Sequence, residues 1–148
     1  MRPQAVLFAC GWNAVRSPMA AAIMRHLAGR GVYVESVGVR SGDADPFAAA
    51  ALEEVGLEIG RHRPRTFEEL EDAEGLNFDL IVTLAPEAHH KALDLTRTVA
   101  AEVEYWPTPD ATAVTGNREQ RMDAYREVRD MLTSRIKARF LSRVAGNE

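Results

Sequence analysis

Four short apolar runs punctuate this chain, and a stretch of helical patterning separates each from the next. They are "QAVLFA" (residues 4–9), "VYVESVGV" (32–39), "FDLIVTL" (78–84) and "AEVEYW" (101–106). Each is too short for a buried helix and is bounded by turn formers, so each reads as a strand. After the first run, Ser17-Pro18 reads as a helix start with Ser as the cap. Met19, Ala20, Ile23, Met24 and Leu27 then recur at helical spacing until Gly29 and Gly31 end the pattern. "PFAAAALEEVGLEIG" (46–60) reads as an alanine-rich helix, and Thr66 with Glu69 forms a capping box that opens another. "PEAHHKALDL" reads as a short helix. A long amphipathic helix runs from Arg118 to Val144, with Tyr125, Val128, Leu132, Ile136 and Phe140 on one face. Strands that alternate with helices in this way build an α/β fold: a parallel sheet with helices on both faces. Ligands of such sheets bind at the carboxyl ends of the strands. The segments "CGWNAVRS" and "PTPDATAVTG" both follow strands and are expected on that edge.

The 148 residues are read as one domain, 1–148, large enough to bury a core. A net charge of −4 argues against a nucleic-acid partner, which needs a basic footprint. No apolar run is long enough to span a membrane. The chain has one cysteine, so nothing suggests an oxidising compartment, and the expected location is cytoplasmic.

That cysteine, Cys10, sits where the first strand ends and seven residues before Ser17. A loop between a strand and a helix can present backbone N–H groups to an anion, helped by the positive end of the helix dipole. The same field favours the thiolate of a cysteine held inside it. Arg16 adds a planar fork that can bind two oxygens of a tetrahedral anion, and Ser17 can hydrogen-bond the sulfur. The spacing C-x5-R carries little information alone. The run of strand, Cys, Asn13, Arg16-Ser17, Pro18 and helix carries much more. A buried cysteine acting as a small hydrophobe is the plain alternative.

"VLFACGWNAVRSPMAAA" resembles the phosphate loop of low-molecular-weight protein tyrosine phosphatases, C-x5-R-S-P after the first strand. "VESVGV", "GLEIGRHRPRTF", "FDLIVTL", "YWPTPDATAVTG" and the last helix are similar to later parts of that family. The resemblance implies a three-layer αβα sandwich with a four-stranded parallel sheet, the phosphotyrosine phosphatase I-like fold. It implies hydrolysis of phosphate monoesters, including protein phosphotyrosine, through a phosphocysteine. Cys10 would be the nucleophile, Arg16 the anion clamp, Ser17 the partner of the sulfur and Asp110 the proton donor. Gly11, Trp12, Asn13, Ala14 and Val15 would form the substrate loop. Asn13 and Ser36 would hold its shape. His62 and Arg65 would bond or pack beside it, without a catalytic part. The expected partners are a phosphorylated protein or small phosphate ester and, in the loop, inorganic phosphate or a similar oxyanion. No metal and no cofactor is implied.

The chain also departs from the family pattern. Trp12 stands where a glycine is usual, Val15 where a second loop cysteine is frequent, and "DATA" where tyrosines often follow the acid. Trp12 is expected to line the pocket mouth. A related set of proteins with the same loop reduces arsenate, which needs further cysteines or an external thiol partner. With one cysteine, only the external thiol remains open to this chain. A catalytically weak oxyanion- or phosphoprotein-binding module is a third reading. Asp43 and Asp45 are further loop acids. His26 is expected to be structural, and His89-His90, Arg118, Arg121 and Arg129 to form solvated helix faces. Trp106 is expected in the core.

Overall fold

The computed structural model describes residues 3–59 and 62–141. Its elements run β1 (Ala5–Cys10), α1 (Arg16–Ala28), β2 (Tyr33–Gly38), α2 (Pro46–Glu53), α3 (Phe67–Glu74), β3 (Leu80–Thr83), α4 (Pro86–Leu95), β4 (Glu102–Tyr105) and α5 (Arg118–Ile136). A π-helical turn, Lys137–Leu141, extends α5. The four strands form one parallel sheet in the order β2-β1-β3-β4. β1 lies inside the sheet and is covered on both faces, which is why Val6, Leu7, Phe8 and Ala9 are apolar without alternation. Val6 and Phe8 face a core with Met19, Ile23, Leu52, Leu132 and Ile136, under α1, α2 and α5. Leu7 and Ala9 face a second core with Phe67, Leu70, Ala88 and Ala92, under α3 and α4. The fold is the expected αβα sandwich. Burying each large aliphatic side chain in these layers stabilises it by about 1.5–3 kcal/mol before entropy is counted.

Local signals explain most boundaries. Thr66 and Glu69 form the reciprocal capping box that opens α3, and Asn117 and Gln120 form another at α5. Two helix boundaries differ from the sequence reading. Ser17 does not cap α1. Val15 occupies that position with no side-chain bond, and the Ser17 hydroxyl is turned toward Cys10. α2 stops at Glu53, because Gly56 adopts φ +80° and the Leu57 N–H folds back to the Leu52 carbonyl at 3.0 Å. The expected end of the last helix, at Val144, falls outside the described residues. Among the described residues, no helix is long and apolar enough to cross a membrane.

Order 2-1-3-4 places a topological switch between β1 and β3, with the crevice at their carboxyl ends. The segments after β1, β2 and β4 gather there around one cavity.

Candidate active site

The loop from Gly11 to Val15 turns its carbonyls away to other segments. Val39 N–H donates to the Cys10 carbonyl at 3.1 Å, Arg40 N–H to Gly11 at 2.9 Å and Gly42 N–H to Trp12 at 3.0 Å. The His62 imidazole Nε2 lies 2.8 Å from the Asn13 carbonyl. Burial lowers the proton affinity of His62 below the ordinary histidine value, which favours a neutral ring donating Nε2–H. Among the described residues, no N–H from Gly11 to Val15 donates to a protein acceptor. A loop whose Gly11, Trp12 and Asn13 carbonyls are bonded outside and whose amides are unspent is suited to hold an anion.

The close pairing of this loop with residues 39–42 requires Gly38. A Cβ there would fall 2.7 Å from Asn13 N and 2.9 Å from the Trp12 carbonyl carbon. Asn13 adopts φ +56°, a left-handed conformation that asparagine tolerates better than most residues. Its side chain is fully buried and fully bonded. Nδ2 donates to Ser17 Oγ at 2.8 Å and Ser36 Oγ at 2.9 Å, and Oδ1 accepts from Arg65 N–H at 2.9 Å. Asn13 thus ties the loop to α1, β2 and the segment before α3.

Cys10 is 2% exposed at the floor of the loop. Its Sγ lies 3.0 Å from Ser17 Oγ and 3.4 Å from Ser17 N, which donates to it. Ser17 Oγ also lies 3.2 Å from the Val37 carbonyl. Its single proton can therefore go to the sulfur or to that carbonyl. Arg16, the first residue of α1, donates from Nη1 to the Thr108 carbonyl at 3.1 Å, which ties it to the segment after β4. The same segment carries Asp110. Oδ1 of Asp110 accepts from Thr112 N–H at 2.9 Å and Thr112 Oγ1 at 2.6 Å, and the carboxyl is exposed. Cys10, Arg16, Asp110, Trp12, Ala14 and Val15 all line one cavity of about 300 Å³. Gly11 and Asn13 shape its floor without lining it, and Ser36 stands behind the loop.

Trp12 is half exposed and does not close the loop. Its backbone is fixed by Gly42, and the Arg40 guanidinium lies 5.2 Å from its ring centre while pairing with Glu87 at 2.7 Å. A Cβ at Gly11 would stand 2.8 Å from Glu87 Oε1, so the small residue beside Cys10 makes room for that carboxylate.

Several residues were placed differently by sequence. His26 is exposed and makes no hydrogen bond among the described residues, so it has no structural part. His89 is half-buried, with Nδ1 3.0 Å from Thr83 Oγ1 and its ring stacked on Tyr105. Only His90 of that pair is exposed. Arg129 is buried, donating to the Ala51 carbonyl at 2.8 Å and pairing with Glu54 and Asp130. It faces inward because α2 packs over that side of α5. Arg118 and Arg121 are exposed, as expected, and lie over the Phe47 ring. Trp106 is buried between Phe8 and Phe140, as expected of a core residue. Sequence reasoning also missed Asp45 as a partner of Tyr125, whose hydroxyl donates to Asp45 Oδ2 at 2.7 Å. The hydroxyl on an otherwise apolar helix face was the only available signal.

The family model described as low molecular weight phosphotyrosine protein phosphatase matches residues 5–147. The chain belongs to that family. Among curated proteins it is 30% identical, over 137 residues, to an arsenate reductase of Shouchella clausii, covering 93% of this chain and 95% of the relative. Among solved structures it resembles the tyrosine phosphatase Wzb from Escherichia coli K30 in complex with sulphate. That match has a TM-score of 0.74 at 20% identity over 92% of this chain and 95% of that one. It also resembles the YwlE arginine phosphatase, with a TM-score of 0.71 at 23% identity, covering 90% and 91%.

Proposed function

We propose that this chain hydrolyses phosphate monoesters, with aryl esters such as protein phosphotyrosine as the first substrate class to test, through a phosphocysteine intermediate. The observation that carries the reading is one cavity that holds a thiol under unspent loop amides, a guanidinium and a carboxyl.

In the first step the Cys10 thiolate forms the S–P bond as the bond from phosphorus to the leaving oxygen breaks. Asp110, as the acid, gives that oxygen its proton. The loop amides and Arg16 hold the three equatorial oxygens, where charge accumulates in the transition state. Thr108 fixes one side of the Arg16 fork, so the guanidinium is set in place before substrate arrives. In the second step a water forms the new P–O bond, Asp110 takes its proton, and the sulfur leaves as thiolate. Ser17 stabilises the leaving sulfur by turning its hydroxyl proton from the Val37 carbonyl to Sγ. Inorganic phosphate departs last. The expected location of this activity is the cytoplasm.

Turnover of para-nitrophenyl phosphate tests the reading. Wild type is expected to release nitrophenol, and Cys10→Ser is expected to release none. Absence of turnover in wild type sinks the hydrolase and favours an oxyanion-binding module. A panel with phosphotyrosine and phosphoarginine peptides then assigns the substrate.

Arsenate reduction is the second reading, favoured by the curated relatives. It requires an external thiol, because this chain offers no second cysteine to resolve a Cys10 adduct. Arsenate-dependent oxidation of added glutathione or thioredoxin, faster than ester hydrolysis, would establish it.

A further inference from the structure

The wall of the cavity around the departing group carries a charge pattern that phosphate binding does not require. Among the described residues Arg16 is the only cation lining the cavity, and it belongs to the phosphoryl group. Beyond it stand three carboxylates, Asp43, Asp45 and Asp110, and the half-exposed ring of Trp12. Asp110 is assigned to proton transfer and Asp43 is on the surface. Asp45 is different. It is half-buried and held at both oxygens, with Oδ1 accepting from Phe47 N–H at 2.8 Å and Oδ2 from Tyr125 at 2.7 Å.

The donor to Oδ2 is a permanent one. Tyr125 is 3% exposed, and burial followed by its bond to Asp45 pushes the phenol well above the usual tyrosine range. Phe47 packs edge-on against Tyr125 at 5.3 Å, with Arg118 and Arg121 stacked on Phe47. Those two arginines and Arg40 stand outside the cavity lining, and Arg40 is paired with Glu87. Asp45 therefore presents a carboxylate, held in place at both oxygens, to the cavity that also holds Cys10 and Arg16.

Once a phosphate dianion has used the charge of Arg16, a neutral or anionic leaving group meets a negative surface. A cationic one meets a carboxylate on one side and an aromatic ring on the other, the two groups that together recognise an organic cation. Trp12 already accepts one guanidinium, that of Arg40. We infer that Asp45 and Trp12 select phosphate monoesters whose leaving group carries a positive charge close to the phosphoryl oxygen. This rests on the hydrolase reading and narrows its substrate class. Asp45 acts as a specificity determinant and takes no part in proton transfer.

The test compares three aryl phosphates that differ at the para position: trimethylammonio, nitro and carboxylate. Rates of the uncatalysed reactions correct for leaving-group reactivity. Wild type is expected to favour the cationic over the anionic ester by about tenfold in corrected kcat/KM, the size of one charge pair at a partly screened distance. Asp45→Asn is expected to shrink that ratio at least threefold, by about 0.65 kcal/mol. Tyr125→Phe, which leaves the charge in place, is expected to keep it. Should Asp45→Asn fail to fold, wild type alone decides. Raising salt from about 0.05 to about 0.5 M must erode a preference carried by charge.

A corrected ratio near one in wild type, or a ratio unmoved by salt or by Asp45→Asn, overturns the inference while leaving the hydrolase standing. Failure to hydrolyse any of the three esters removes the hydrolase reading and this inference with it.

Discussion

Asn13 is the residue on which the shape of the loop depends, and the cost of removing it follows from its contacts. Asn13→Ala deletes three side-chain hydrogen bonds inside a fully buried site. The two serine hydroxyls that lose a donor can reorient, and Ser17 already has the Val37 carbonyl within reach. Arg65 N–H cannot, because it is fixed in the backbone and loses its only acceptor. A stranded donor of this kind costs about 1–3 kcal/mol. Alanine must also hold φ +56°, which costs about 1 kcal/mol more than glycine would. The expected loss is about 2–4 kcal/mol, severe beside a typical stability of about 5–15 kcal/mol yet compatible with folding. Asn13→Gly loses the same bonds without the conformational cost, so it should be about 1 kcal/mol less damaging, offset in part by its more flexible unfolded chain. Urea unfolding followed by the fluorescence of Trp12 and Trp106 measures both variants. In both, kcat/KM on an aryl phosphate is expected to fall at least about tenfold, because the amides lose their common orientation. The reasoning is refuted if Asn13→Ala unfolds within about 0.5 kcal/mol of wild type, the range of an inert surface change.

Other perturbations test separate parts of the site and scaffold. Asp110→Asn should cost about 10²–10⁴-fold in turnover of phenyl phosphate and clearly less with para-nitrophenyl phosphate, whose leaving oxygen needs the proton less. An equal loss with both esters would remove Asp110 as the proton donor. Arg129→Met should lower stability by about 1–2 kcal/mol, because the buried Ala51 carbonyl loses its donor, and the urea midpoint reports it. Glu54 supplies the pH dependence. Hydrogen bonds from Arg126, then Arg129, lower it from the ordinary 4.5 to about 2. A depressed folded value means that its contribution is complete above about 4.5 and is lost as the pH falls toward 2. Acid unfolding of Glu54→Gln should show a flatter pH dependence across that window, and an unchanged slope would show that the pair contributes nothing.

The parts of this protein legible in its sequence are those written locally. The capping box at Thr66 and Glu69, the Pro86–Leu95 helix and the unbroken apolar run of β1 each need only a few neighbouring residues to specify them. Cys10, Asn13, Arg16 and Ser17 fall within eight positions of one another, so the anion cradle could be read before any fold was known. Ser17 shows the limit of local reading. Ser-Pro signals a helix cap, but here the loop itself needs the hydroxyl, and the cap moved to Val15. Contacts between distant segments left no local trace. Arg16 meets the Thr108 carbonyl across 92 positions, and Tyr125 meets Asp45 across 80. Each partner also has an ordinary local role, Asp45 as a helix cap and Tyr125 as a core residue, and that role masks the other.

The curated relatives and the proposed hydrolase reading meet in what the phosphate loop does not decide. Arsenate and phosphate are both tetrahedral oxyanions, and the same amides, guanidinium and thiolate can hold and attack either. The reactions diverge after the sulfur has formed its bond. Hydrolysis needs a carboxyl to manage protons and admit water, whereas reduction needs a second thiol to displace the bound arsenic and take up the oxidation. Here Asp110 lines the same cavity as the thiol, and this chain contains no second cysteine. On the hydrolase reading, the 30% identity to an arsenate reductase reflects the scaffold and an attack on a tetrahedral oxyanion that both reactions begin with. The hydrolase reading proposed above gives the second step to Asp110 and water. The need for an added thiol separates the two chemistries: Cys10-dependent ester hydrolysis should proceed with none present, whereas any arsenate turnover should stop when thioredoxin or glutathione is left out.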